Sequence, residues 1–167
     1  MSINTSGEDD YMSEVMVLRP FRGEEHCEER VILMNGVVNE MFRMTLPSAR
    51  VGREETGLLL GLVGEITDLQ GIRRRVRIVV TAVDCDSIST SASAWIPPET
   101  MVLVDEAAKK ASLNIVGGFH SHPWHRGHQF LSSTDLETLG AYAALDHGWL
   151  CVVLDPLRRN FTVFRWR

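Results

Sequence analysis

A chain of 167 residues with a formal net charge of −5 has the size of one domain, able to bury roughly two thirds of the surface its unfolded form exposes. Hydrophobic residues make up 44% and charged residues 23%, the balance of a soluble globular protein, and no apolar run approaches the ~20 residues of a membrane span. The acidic balance argues against nucleic acid as a partner, because phosphate binding needs a concentration of Lys and Arg that the whole chain lacks. The N-terminal MSINTSGEDDYMSE is polar and acidic, without the apolar core of a secretory signal, so a cytoplasmic location is expected, with no membrane partner. Cys27, Cys85 and Cys151 form no CxxC pair and are odd in number, which argues against a disulfide framework; Cys151, inside the apolar run WLCVVL, reads as a buried free thiol.

In chain order, residues 1–30 read as an N-terminal extension whose first fourteen residues, rich in Ser, Gly, Asp and Glu, have little to bury and are expected to be disordered. Val15 to Leu18 can add an edge strand, and Arg22 to Arg30 reads as a linker or short helix, with His26 and Cys27 as surface or packing residues. The domain proper, 31–167, opens with a strand from Val31 to Met34 and a helix capped by Asn35, in which Val37, Val38, Met41, Phe42 and Leu46 recur at helical spacing until Pro47 stops it. After the loop SARVGRE, the segment ETGLLLGLVGE has the glycine-bounded apolar centre of a strand buried on both faces. Arg75 to Val83 is a further strand. Its basic run, Arg73, Arg74, Arg75 and Arg77, reads as a solvated strand edge or as a surface for an acidic partner.

Asp84 to Trp95 has the Ser-rich composition of a mobile loop. Pro97 and Pro98 start a helix through Ser112, with Glu106 and Lys110 as an i, i+4 pair. A strand from Asn114 to Phe119 follows, then a helix from Ser133 to Leu145, and two strands, Trp149 to Leu154 and Phe161 to Trp166, joined by DPLRRN. The order β α β β α β α β β predicts an α/β (α+β) domain, a mixed, mainly antiparallel sheet flanked by helices.

Four of the six histidines fall between Gly117 and Glu137. His120 and His122 end a strand, and the period of two places both imidazoles on one face, as two ligands of one metal require. A third ligand is available in His125, His128 or Asp135. Ser132 to Asp135 also has the form of a helix N-cap with an acid at the third position, which capping alone would explain. Two imidazoles and one carboxylate leave a zinc ion an open position where a water becomes a nucleophile near neutral pH. The proton acceptor must then be a carboxylate that does not ligate the metal, and Glu54 and Glu55 stand before the buried strand GLLLG.

Glu54-Glu55-Thr56-Gly57-Leu58-Leu59-Leu60-Gly61, followed by His120-Ser121-His122-Pro123 and then Ser132 to Asp135, resembles the signature of the JAMM (MPN+) metalloprotease family, E-x-x-G-x-x-x-G with H-[ST]-H-P and S-x-x-D. The resemblance covers Val31 to Arg167 and implies an MPN/JAB-like fold with one zinc ion held by His120, His122 and Asp135. It further implies Glu54 as general base, with Glu55 the alternative, and Ser132 as hydrogen-bond donor to the oxyanion. The implied reaction is hydrolysis of the isopeptide or peptide bond after the C-terminus of ubiquitin or a ubiquitin-like protein, a deubiquitinase-like activity that can serve a proteasome or other ATP-dependent protease machine. The Ser-rich loop and the segment Trp124 to Leu131 would shape the substrate channel. Nine residues, Pro123 to Leu131, separate His122 from Ser132, more than the family pattern carries, and they include His125 and His128. The chain resembles prokaryotic relatives of the proteasome-lid deubiquitinase, and FLSSTDLET resembles the endosomal branch, so the subfamily stays open. The end at Arg167, directly after the last strand, implies a monomer. The alternatives are a hydrolase processing a ubiquitin-like sulfur-carrier protein and a non-catalytic MPN scaffold.

Overall fold

The computed structural model describes residues 14–18, 29–34, 36–67, 69–91, 93–123, 130–144 and 148–165. The expected disordered tail (save Glu14), His26, Cys27, Asn35 and the loop histidines His125 and His128 lie outside the described residues; the N-cap of the first helix falls at Gly36, not at Asn35 as expected. Nine strands and three helices run in the order β1 (Glu14–Leu18), β2 (Glu29–Leu33), α1 (Val37–Arg50), β3 (Thr56–Thr67), β4 (Arg73–Asp84), β5 (Ile88–Ser89), β6 (Ala94–Trp95), α2 (Pro98–Lys110), β7 (Asn114–Ser121), α3 (Ser133–Ala143), β8 (Leu150–Asp155) and β9 (Asn160–Arg165) among the described residues. No helix there is long and apolar enough to cross a membrane.

Seven strands form one sheet in the order β1-β2-β4-β3-β7-β8-β9, and β5 and β6 pair separately. The expectation of a mainly antiparallel sheet is corrected: the sheet is mixed, with β2 beside β4 and β7 beside β8 in parallel. The reason is the connections. Parallel neighbours need a crossover, and α3 supplies one between β7 and β8, while α1 and β3 together span β2 and β4. Pro47 does not stop α1, which runs on to Arg50 with the proline inside; a proline forfeits its own N–H bond, but buried Ala49 beyond it anchors the last turn. The Ser-rich segment is not wholly loop, because Ile88 and Ser89 pair with Trp95 and Ala94. On α2 the recorded i, i+4 pair is Asp105 with Lys109, one residue before the one expected.

The period of two along the central strands divides the core into two layers. On one face Leu59, Val79, Phe119, Leu150, Val152 and Leu154 pack with Val37, Met41 and Phe42 of α1. On the other, Leu58, Cys151, Val153 and Trp149 pack with Leu139 of α3 and Ile96, joined by Met101 and Val104 of α2. The β8 run is buried throughout, Cys151 included. Two glycines let β3 sit at the centre: a Cβ on Gly57 would overlap the Phe119 ring and the Val83 carbonyl, and one on Gly61 the Ile78 carbonyl.

The basic run of β4 is not a solvated edge at its inner end. Arg77 is fully buried, at 0% exposure, and Glu29 of β2 is at 1%. Arg77 Nε lies 3.1 Å from Glu29 Oε1, and Arg165 Nη1 of β9 lies 2.8 Å from Glu29 Oε2. Because β2 and β9 are not neighbours in the strand order, this pair joins opposite sides of a curled sheet. Arg77 Nη1 also donates to the carbonyl of Val116 at 3.3 Å, and Val116 is the residue skipped where the β3–β7 register shifts between Leu59 and Leu60. A bulge leaves a carbonyl outside the ladder, and the guanidinium satisfies it. Replacing Glu29 by Ala leaves the Arg77 charge buried without its carboxylate, so Glu29→Ala is expected to lose about 3–5 kcal/mol, measured as a lower urea midpoint at an unchanged slope. A loss under about 1 kcal/mol, the worth of an exposed pair, would refute the buried clasp.

Candidate metal centre

The site forms where β7 ends and β3 begins. The antiparallel register sets Thr56 opposite His120, and the ladder runs on past the end of β3: Ser121 N–H donates to the Glu55 carbonyl at 2.9 Å and Glu55 N–H donates to Ser121 Oγ at 3.0 Å. Thr56 Oγ1 adds a bond to the Phe119 carbonyl at 2.8 Å. His122 N–H donates to the Leu154 carbonyl at 2.8 Å, fixing the chain after β7 to the end of β8. Ser121 is fully buried and His122 3% exposed, so both imidazoles stand on a backbone held from two sides.

The third residue comes from α3. Ser132 Oγ accepts from Asp135 N–H at 3.1 Å, and Asp135 Oδ2 accepts from Ser132 N–H at 2.7 Å, a complete capping box. Capping does not compete with a metal role, because the same carboxylate faces the histidines. Its Oδ1 lies 3.3 Å from His120 Nε2 and its Oδ2 lies 3.5 Å from His122 Nε2. Burial pushes the Asp135 carboxyl up, but hydrogen bonds to His120 and His122, the charge of His120 and the Ser132 contact outweigh it. It is held well below the ordinary aspartate range.

His120 Nε2 and His122 Nε2 are 3.1 Å apart, which completes a triangle with the two distances to Asp135. Tetrahedral bonds of about 2.0–2.1 Å place ligand atoms about 3.3–3.4 Å from one another, so the triangle has the size a four-coordinate ion requires. His120, His122 and Asp135 can therefore hold a metal ion. The far nitrogen of one ring also has a neighbour: Cys151 Sγ of β8 is 3.8 Å from His120 Nδ1. A partner on the outer ring nitrogen of a ligating histidine fixes its tautomer and orientation.

Glu54, 8% exposed, lines the same cleft as His120, Ser132 and Asp135. Burial raises its pKa above the ordinary glutamate value, partly opposed by the nearby His122 and His120 and reinforced by Asp135. A raised carboxylate is the better proton acceptor near neutrality. Glu55, the alternative base, turns away: its Oε2 accepts from Ser48 Oγ at 2.6 Å and its Oε1 from Ser87 Oγ at 2.5 Å. The alternation of extended backbone sends adjacent side chains to opposite faces, and it separates the two carboxylates. Beyond the triangle the cleft is walled by Trp95 and Ile96 of the β6 end and by Leu139 and Tyr142 of α3, with Trp149 at its inner end. The Tyr142 and Trp149 rings stack with centroids 4.7 Å apart.

The structure brings His120, His122, Asp135, Ser132 and Glu54 close together, and adds Cys151, Ser48 and Ser87, which sequence reasoning did not connect to them. A cysteine on the strand beside β7 was readable as buried, but its contact with His120 depends on the parallel β7–β8 register, which pairs Gly118 with Cys151. Burial pushes the Cys151 thiol up to about 12, with Asp135 adding to it, and the Cys85 thiol up to about 11. The thiolate is the reactive form, so iodoacetamide at about pH 8 should leave Cys85 and Cys151 unmodified in the native protein and alkylate both after unfolding. Peptide mass spectrometry reads this, and native-state modification of either would contradict the packing around it. A scan against protein-family models and a search of curated proteins return no match for this chain.

Proposed function

We propose that this chain is a zinc-dependent hydrolase of the JAMM (MPN+) type, with an MPN/JAB-like fold, that cleaves the isopeptide or peptide bond after the C-terminus of ubiquitin or a ubiquitin-like protein. The observation that carries the reading is the convergence, in one cleft, of a metal-sized triangle of His120, His122 and Asp135 with the buried carboxylate of Glu54 from the start of β3. A divalent ion in that triangle supplies Lewis acidity and lowers the pKa of water to roughly 7. Glu54 accepts the proton of the attacking water and returns it to the departing amine, a role its raised pKa suits. The Ser132 hydroxyl oxygen already accepts from Asp135 N–H, which leaves its proton to donate to a developing oxyanion. The stacked Tyr142 and Trp149, with Trp95 and Ile96, give the cleft an apolar lining beside the triangle.

The test is cleavage of linear and isopeptide-linked di-ubiquitin, and of ubiquitin-like precursors, by zinc-loaded protein. Glu54→Gln is expected to bind zinc with wild-type stoichiometry and to lose about 10²–10⁴-fold in kcat, while His122→Ala loses the metal itself, read by calorimetry. Chelator should abolish turnover and added zinc restore it. Chelator-resistant cleavage, or full activity in Glu54→Gln, would overturn the mechanism. Ser132→Ala should cost about 2.7–4 kcal/mol of transition-state stabilisation, or about 10²–10³ in kcat with little change in KM, measured by steady-state kinetics.

A further inference from the structure

Glu55 is next to the base yet faces away from the cleft, and its carboxylate is unusually well occupied. Each oxygen accepts one serine hydroxyl, from Ser48 near the end of α1 and from Ser87 in the loop between β4 and β5, while its main chain exchanges both bonds with Ser121, the residue between His120 and His122. One residue thus ties α1, the β4–β5 loop and β7. Glu54 is bound on the other side, where its N–H donates to the Thr90 carbonyl at 3.0 Å and its carbonyl accepts from Ser89 Oγ. Both Ser89 and Thr90 belong to the segment of the β5–β6 ribbon, which begins directly after Ser87.

We propose that Glu55 is a positioning residue for Glu54: by gripping Ser48 and Ser87 it anchors the ribbon and α1 to the strand start, and so sets where the Glu54 carboxylate stands relative to the three ligand residues. This rests on the reading of Glu54 as base. Hydroxyl donors on an ionised carboxylate make short, strong bonds, and both are short here. The ribbon meets Glu54 at the Thr90 carbonyl and the Ser89 hydroxyl, and the grip on Ser87 fixes its root to a carboxylate. A displacement of about 1 Å at a catalytic group costs up to ~10²-fold in rate. The grip therefore acts on catalysis without touching substrate or metal.

The experiment compares wild-type protein, Glu55→Ala, Glu55→Gln and the double variant Ser48→Ala/Ser87→Ala, all zinc-loaded, on the best substrate found for the wild type. Glu55→Ala and the double variant should lower kcat about 10- to 100-fold, bind zinc as the wild type does, and speed amide exchange in peptides covering 53–56 and 86–95. Glu55→Gln, whose amide oxygen still accepts a hydroxyl, should recover most of the rate. Ser87→Ala, which removes one hydroxyl and no charge, carries the same test should Glu55→Ala fail to fold. Wild-type rates and exchange in these variants would overturn the positioning role and leave the hydrolase reading standing. Complete loss in both Glu55→Ala and Glu55→Gln, with exchange unchanged, would make Glu55 the base and overturn it as well. An inactive wild type sinks the hydrolase reading and leaves no base to position.

Discussion

The pairing of β3 with β7 is the constraint on which the site depends. Thr56 stands opposite His120, and the next step of the ladder joins Glu55 to Ser121 by two main-chain and side-chain bonds. Since side chains alternate along a strand, a slip of one residue would turn one strand over relative to the other: moving β7 would take His120 and His122 off the face they share with Thr56, and moving β3 would put Glu55 there in place of Glu54. Register therefore decides which side chains share the cleft. It is secured by burial rather than by the site itself: Leu58 and Leu59 face opposite core layers, and Gly57 admits the Phe119 ring where a Cβ could not. The apolar core and the polar site thus specify the same alignment.

Two places in the fold handle buried charge in opposite ways. At the clasp, Arg77 and Glu29 are fully buried and directly paired, with Arg165 completing the set. Removing one member leaves an uncompensated charge, which makes the clasp costly to break whatever its net worth when intact. At the cleft, Glu54 is buried with its charge only partly offset by the histidines, and Asp135 is the charged member that the surroundings favour. Perturbed carboxylates cluster at functional sites because catalysis needs groups whose protonation is poised rather than settled. The ion cluster ties β2 to β4 and β9, apart from the three residues that can hold a metal.

Much of this was legible in the sequence, and the rest was hidden for identifiable reasons. The buried β8, the strand end bearing His120 and His122, and the cap of α3 each follow from local pattern: an unbroken apolar run, a period of two, and a serine three residues before an acid. Arg77 was not legible as a core residue, since its burial depends on Glu29 and Arg165 arriving from strands distant in the chain. The parallel pairings are not legible locally, because consecutive strands point to antiparallel neighbours while β2–β4 and β7–β8 pair across crossovers that packing decides. Pro47 misled because a proline near a helix end removes one bond without displacing the buried Ala49 that follows. Composition leaves Glu54 and Glu55 equivalent; the resemblance implies Glu54 as base, and the hydroxyls of Ser48 and Ser87 on Glu55 are the structural difference between the two.

The capping box at α3 carries the last step of the argument. Its serine and aspartate are bound to each other through main-chain N–H groups, so the helix terminus holds both side chains in fixed positions before any ligand arrives. The positive end of the helix dipole also favours a carboxylate at that turn. A ligand presented this way needs little reorganisation, and reorganisation is what a preorganised site avoids at the moment of reaction. The same two bonds that stop the helix from fraying therefore hold one corner of the metal-sized triangle without any additional residue.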